Sequence, residues 1–415
     1  MAATNTLLTN TAITNEALLV LRNNFVLVPR AAQTIDSMFG KVGYKNGDTV
    51  NIRIPVRYKS AQQTAISLNN TVESNTSLQV LQRNIGVDFT TEDLKLKMDV
   101  FSDRILKPQM AQLASDIDQA GFATFYQGAG LTTPGSYTAG VPAAFTGADV
   151  STLRAFLDAG ARLDDAAAPR DDNRYAALTP SANAATVDAL KGLFQSATEI
   201  ADQYKRGLMG MAAGFQWVMA QTLPSFTCGT RVATGATVNG SGSPVTGSSI
   251  VLAQATSTGN TITQGDQFVI AGVYAINPLT RSASNKLQVF TVQTGVTFSA
   301  NAATVSVLPT ISVTAPNETV SAAAADGAIV TLLGAAGVST DVNMVWYKDA
   351  FMVAFCDLPT DLPGAEAYMA KDPETGVSIR FAKQYDPQLD VVYHRADVLV
   401  GWKMVRPSLC QRVQG

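Results

Sequence analysis

The feature that most constrains this 415-residue chain is a sudden loss of charge between residues 226 and 340. Arg231, Asp266, Arg281, Lys286, Glu318 and Asp326 are the six charged residues in that stretch of 115, which leaves 57 of the chain's 63 for the other 300. In place of charge, short β runs recur: SIVLAQA, QFVIAGVYAI, KLQVFTVQ and TVSVLP, parted by clusters of Gly, Pro, Asn and Ser. Alternating apolar runs broken by turn formers at close spacing predict an antiparallel barrel or sandwich. The contrast with the flanks predicts a separate domain, and helix-and-strand patterning resumes at residues 343–355, NMVWYKDAFMVAF, so the segment reads as an insertion.

The flanks predict an α+β body. Its longest helical pattern is residues 102–128, where Leu106, Met110, Leu113, Ile117, Gly121 and Thr124 recur in steps of three and four and so share one side of a helix. Ser102 and Asp103 can cap its start, Pro108 fits a first turn, and Gly128 to Gly130 form a stop. At about 1.5 Å per residue the span is roughly 40 Å, a spine about as wide as a domain, although an ordinary core helix of a soluble enzyme has the same pattern. Before it, residues 1–13 are Thr/Asn-rich and aperiodic, an arm ordered only where something holds it. Thr14 or Asn15 can cap a short helix carrying Ala17, Leu18, Val20 and Leu21 that Pro29 ends. After the spine come a Gly/Pro/Thr linker, a helix from Ser151 or Thr152 closed by Pro169, a strand at residues 174–178 and a helix at residues 184–194. The tail alternates again in VSIRFAKQY and DVVYHRADVLVGWKMV, which predicts that both ends of the body share one sheet, with the insertion as a detour and both termini in the same body.

Val50, Ile52, Ile54 and Val56 make one face of a period-two strand that Pro55 confines to a sheet edge. Its predicted partner is residues 78–89, where Ile85, Val87 and Phe89 alternate. The polar connection between them is far longer than the roughly 2 to 5 residues of a hairpin loop, and long loops in compact domains tend to be functional. It reads as an arm that reaches another molecule, with Arg57, Lys59 and Glu73 as the candidate subunit contacts; a floppy surface hairpin is the other reading.

Composition narrows the function. With 15% charged residues and 46% hydrophobic ones, the chain has much weakly polar surface, of the kind hidden against copies of itself. A formal charge of −3 provides no basic field for gripping DNA or an anionic membrane. The amino end lacks a basic stretch before its short apolar run, and no apolar window reaches the length of a membrane helix, so synthesis in a cytoplasm is expected. Cys228, Cys356 and Cys410 are far apart and odd in number, and form neither a disulfide framework nor a zinc pattern. His394, the only histidine, sits in a strand pattern without a partner motif. Gly40-Lys41 lacks the rest of a phosphate loop, and the glycines of NGSGSPVTGSS lie between β runs rather than before a helix. Asp164, Asp165, Arg170, Asp171 and Asp172 read as a solvated turn rather than a carboxylate site. No nucleophile-base pair, metal spacing or cofactor motif is present, so a catalytic role is not expected.

The order of these parts resembles the Hong Kong 97-type major capsid protein of tailed double-stranded DNA bacteriophages, in the branch whose coat protein carries an inserted β-barrel. MAAGFQWVMAQTLP at residues 211–224 is similar to the segment leading into that insertion, GDQFVIAGV at 265–273 to its central strand pair, NMVWYKDAFMV at 343–353 to the strand that follows, and MVRPSLC to the family's close. The resemblance implies an arm at residues 1–48, an extended β loop at 49–90, a peripheral domain with the spine at 91–148, a core α+β domain at 149–225, the barrel at 226–340 and a return segment at 341–415. It implies an icosahedral shell around the genome, built with a scaffolding protein and a portal protein, touching packaged DNA weakly and without a membrane. A non-viral compartment shell, or a virion attachment protein that uses the barrel to bind, is the alternative.

Overall fold

The computed structural model describes residues 10–33, 47–54, 57–58, 74–90, 105–128, 130–132, 140–190, 210–231, 235–255, 257–315, 317–389 and 391–415. The chain forms two compact units: one from Met1–Ile54, Asn75–Phe122 and Phe351–Lys403, the other from Pro55–Ser74, Ala123–Ala350 and Met404–Gly415. The termini therefore lie in different units, contrary to the expectation of one shared body, because the chain leaves the first unit at the end of its longest strand.

In the first unit that strand, Val391–Met404, is the axis of a six-stranded sheet. It pairs with Ser378–Asp386, with Phe351–Cys356 and, along ten residues in register, with Leu81–Thr90. The predicted hairpin partner is thereby divided. Val80 interrupts the run, Ser74–Gln79 pairs with the edge strand Thr49–Ile54, and Leu81–Thr90 joins the carboxyl-terminal strand instead. The Val391–Met404 strand offers Leu81–Thr90 a ladder of ten paired positions, whereas Thr49–Ile54 has six residues to pair in all.

The spine is shorter than predicted. The α-helix spans Lys107–Ala123 and tightens into a 3-10 turn at Thr124–Gln127; 17 residues at 1.5 Å each make about 25 Å. Ser102 and Asp103 lie outside the described residues. Five members of its predicted stripe, Leu106, Met110, Leu113, Ile117 and Gly121, are buried, while the sixth, Thr124, falls in the 3-10 turn and is half-buried. Gly121 has a specific reason, since a Cβ there would stand 2.6 Å from Leu27 and 2.8 Å from Trp402. On the exposed side Arg83 reaches across to Asp116 at 3.1 Å. The amino-terminal helix runs Asn10–Asn24, so Thr14 lies inside it, buried, rather than at its cap. It packs on strands Glu366–Lys371 and Ser378–Asp386, and Arg22 pairs with Asp372 and Glu374.

The second unit contains a mixed six-stranded sheet in the order Gly130–Thr132, Cys410–Val413, Asn343–Tyr347, Arg174–Leu178, Phe215–Met219 and Met211–Ala212. Strands from before and after the charge-poor segment thus share one sheet. Helix Leu153–Asp165 packs on it with Ala155, Phe156, Ala159 and Leu163 buried, and Pro180–Leu190 follows the central strand. The charge-poor segment opens and closes on a two-stranded ribbon that pairs Phe226 with Thr340. Beyond the ribbon it forms a closed barrel, Ala236–Val238, Gly247–Ala253, Ala302–Ile311, Ala283–Val292, Gln267–Ile276 and Ile329–Leu333 in order around the ring. Four of these strands contain the predicted β runs. The other two, three and five residues long, close the ring by pairing with each other and carry too few alternations to stand out in sequence.

Candidate assembly surface

Charge is scarce in the barrel segment, and two of its six charges are used inside. Arg231 and Asp266 form an ion pair with no exposed side-chain surface. Arg231 also donates to the carbonyls of Leu333 (2.6 Å) and Gly334 (3.2 Å). Asp266 accepts from the backbone N–H of Gly229 (3.2 Å) and Thr263 (2.7 Å) and from the Thr263 hydroxyl (3.1 Å). A buried pair repays its desolvation only with such additional bonds, and its directional demands tie the ribbon, the strand turn and the closing strand to one arrangement. Next to it Arg412, fully buried, donates to Gly265 O at 2.8 Å and lies within 5.9 Å of the Tyr126 ring and 5.7 Å of the Phe226 ring. Burial pulls that guanidinium down to about 10, and it remains a cation at neutral pH. Thr291 donates to Gly128 O at 2.7 Å and Gln267 to Gly130 O at 3.3 Å, so the barrel is fastened to the segment just after the spine. Sequence reasoning missed these roles. The available signal was the persistence of Arg231 and Asp266 where nearly all other charge had been removed.

The groups first considered for chemistry are placed otherwise. His394 lies on the axis strand opposite Val87 and Lys383, its ring 5.7 Å from Phe381. Burial, and then the charge of Lys383, lowers it to about 4, so it is neutral near pH 7. Burial raises the Cys356 thiol to about 11 and the Cys410 thiol to about 12, far from a reactive thiolate. Asp164 pairs with Arg170 and, at 2.7 Å, with Arg174. Arg174 is buried, which makes this turn less solvated than predicted. Among the described residues no group of three or more His, Cys, Asp or Glu could hold a metal ion, and no helix is long and apolar enough to cross a membrane.

Of the three candidate contacts, Lys59 and Glu73 lie outside the described residues. Arg57 is exposed and lines a cavity of about 470 Å³ in the second unit, whose walls include Arg162, Asp165, Lys286 and Glu318. The acids are engaged: Asp165 with Lys286 at 2.9 Å, Glu318 with Arg281 at 3.5 Å. Arg281 also donates to Tyr58 O at 2.8 Å. Desolvation, and then the positive charges of Arg406 and Arg281, hold the Arg57 guanidinium below its ordinary value.

Charges spent on internal fastening and an exposed Arg57 at the surface suit a structural subunit that associates with copies of itself. The chain belongs to the P22 coat protein family, whose model, described as "P22 coat protein - gene protein 5", matches residues 1–412. It is a phage major capsid protein, and many copies form the icosahedral shell; a compartment shell or an attachment protein is not favoured. No curated protein sequence matches the chain. Among solved structures it is similar to one from Mycobacterium phage Che8 (10% identity, 94% of this chain and 90% of that chain, TM-score 0.44). The capsid of Ralstonia phage GP4 (8% identity, 91% and 83%, TM-score 0.44) and a virus-like particle from Pyrococcus furiosus (7% identity, 97% and 97%, TM-score 0.39) are also similar. At these scores the likenesses add nothing to the family match.

Proposed function

We propose that the chain builds the capsid as a Hong Kong 97-type subunit: an amino-terminal arm, an extended β loop, a spine helix and a core α+β domain, with the barrel inserted in the core. The observation that carries this reading is the charge-poor segment closing as a barrel on a single ribbon while strands from both of its flanks share one sheet. In this reading the polar connection after residue 54, with Arg57, Lys59 and Glu73, reaches a neighbouring copy. Assembly takes place in the host cytoplasm with a scaffolding protein and a portal protein, packaged DNA is touched only weakly, and the subunit catalyses no step. Weak contact with DNA suits a net charge of −3 and a genome that must leave.

The test replaces residues 59–73 by a short Gly-Ser link in cells that supply scaffold and portal. The expected result is a soluble, folded monomer that makes no closed shells by electron microscopy. Shells formed at wild-type yield would show that the connection is decoration.

A further inference from the structure

Arg57 makes no hydrogen bond or ion pair among the described residues, although two other cations stand near it. Arg281 is occupied by Glu318 and Tyr58 O, and Arg406 is 3.7 Å from Asp349. The carboxylates nearest the wall are thus already taken, and one guanidinium is left to repel its neighbours. Two large hydrophobic side chains are held out in solvent on the segments that carry Arg57 and Arg281, which the Arg281 to Tyr58 O bond joins. Tyr58, adjacent in sequence, is 59% exposed, and Leu279, in the turn that holds Arg281, is 78% exposed, the highest value among the large hydrophobic side chains of the described residues. An arginine without a partner among the described residues, on a surface that also exposes an aromatic and an aliphatic side chain, has the composition of an interface centre, where a carboxylate gains most because the apolar rim excludes water.

We propose that this wall takes a carboxylate side chain from a second copy of the chain, held by Arg57 and covered by Tyr58 and Leu279. A second copy is the partner that fits: the protein assembles with itself, and its 33 acidic residues outnumber its 30 basic ones. The inference deepens the loop-contact reading and rests on it. It assigns the contact to the base of the connection and names its chemistry.

Among the described residues Arg57 makes no hydrogen bond or ion pair inside the subunit, so Arg57→Ala, with the fold checked beside it, tests the intermolecular contact. In the full chain, with scaffold and portal supplied, the Arg57→Ala monomer is expected to unfold in urea at the wild-type midpoint while shell yield falls about tenfold or more, the loss of one charge-assisted contact per subunit. Arg57→Lys should recover part of that yield. Between about 0.1 M and about 0.5 M salt, wild-type assembly should weaken more steeply than that of Arg57→Ala. Shells from Arg57→Ala at wild-type yield and with wild-type salt dependence would overturn the inference while leaving the shell reading intact. Normal shells that hold less DNA would overturn it too, since the wall would then face nucleic acid. A lowered urea midpoint would assign Arg57 an internal role instead. If the wild-type chain itself made no shells, the shell reading would fall, and this inference with it.

Discussion

Asp118 allows a prediction that can be worked through from geometry to assay. It lies on the spine, 2% exposed, with one carboxylate oxygen accepting from the backbone N–H of Val26 (2.6 Å) and Leu27 (3.3 Å). The other oxygen, also buried, has no hydrogen-bond partner. Burial raises its pKa from 3.8 to about 6, against the pull of the Val26, Leu27 and Val28 backbone bonds and of Arg30. For an acid whose folded pKa is raised, stability is greatest below the unfolded pKa and is lost as pH rises through the folded value. A rise of that size corresponds to about 3 kcal/mol in full, of which about 1 kcal/mol falls between about pH 5 and about pH 7. Asp118→Asn preserves the shape, offers an oxygen to the two N–H groups and cannot ionise. Wild type should therefore gain about 1 kcal/mol relative to Asp118→Asn on going from about pH 7 to about pH 5, and the variant should be the more stable at pH 7. Paired urea unfolding curves at the two pH values, with hydrogen exchange at residues 26–28 as the local readout, measure this. A gap between the two proteins that does not change with pH would refute the reasoning, as would a carboxyl resonance of Asp118 titrating at the ordinary aspartate value.

Two further outcomes are expected. Ile117→Asp puts a carboxylate at a fully buried place on the spine stripe and should cost several kcal/mol, so the chain should aggregate; soluble, shell-forming protein from this variant would mean the stripe is not core. Residues 225–341, excised, should fold alone, with a β-type far-ultraviolet spectrum and a cooperative melt that Arg231→Ala, by stranding Asp266, abolishes at a cost of about 3 to 5 kcal/mol; a random-coil spectrum from the unsubstituted fragment would refute this.

Much of the fold was legible because the signals that build it are local. Alternation along Gln267–Ile276 or Val391–Met404 is a property of consecutive residues, and so is the three-and-four spacing that buries Met110, Leu113 and Ile117. Composition alone marked out the barrel segment, because a closed ring of short strands has little use for charge except where a charge is paired inside it. The candidate site was less legible. Arg57 stood out by its place at the foot of a long polar connection, but its neighbours Arg281 and Arg406 lie more than two hundred residues away in the chain.

The amino-acid sequence by itself therefore determined which stretches are strands and helices, where charge was removed, and that the chain lacks the local motifs of a catalyst. Tertiary structure decided which strands pair. Leu81–Thr90 joined a strand some three hundred residues away rather than the nearer Thr49–Ile54, and two strands of three and five residues closed the barrel because its ring held a place for them. Tertiary structure also decided what each charge does. Arg412 and Asp118 look like any other ionisable residue in one dimension. Desolvation and hydrogen-bond partners set the energy of a charge, and both come from parts of the chain that only folding brings together.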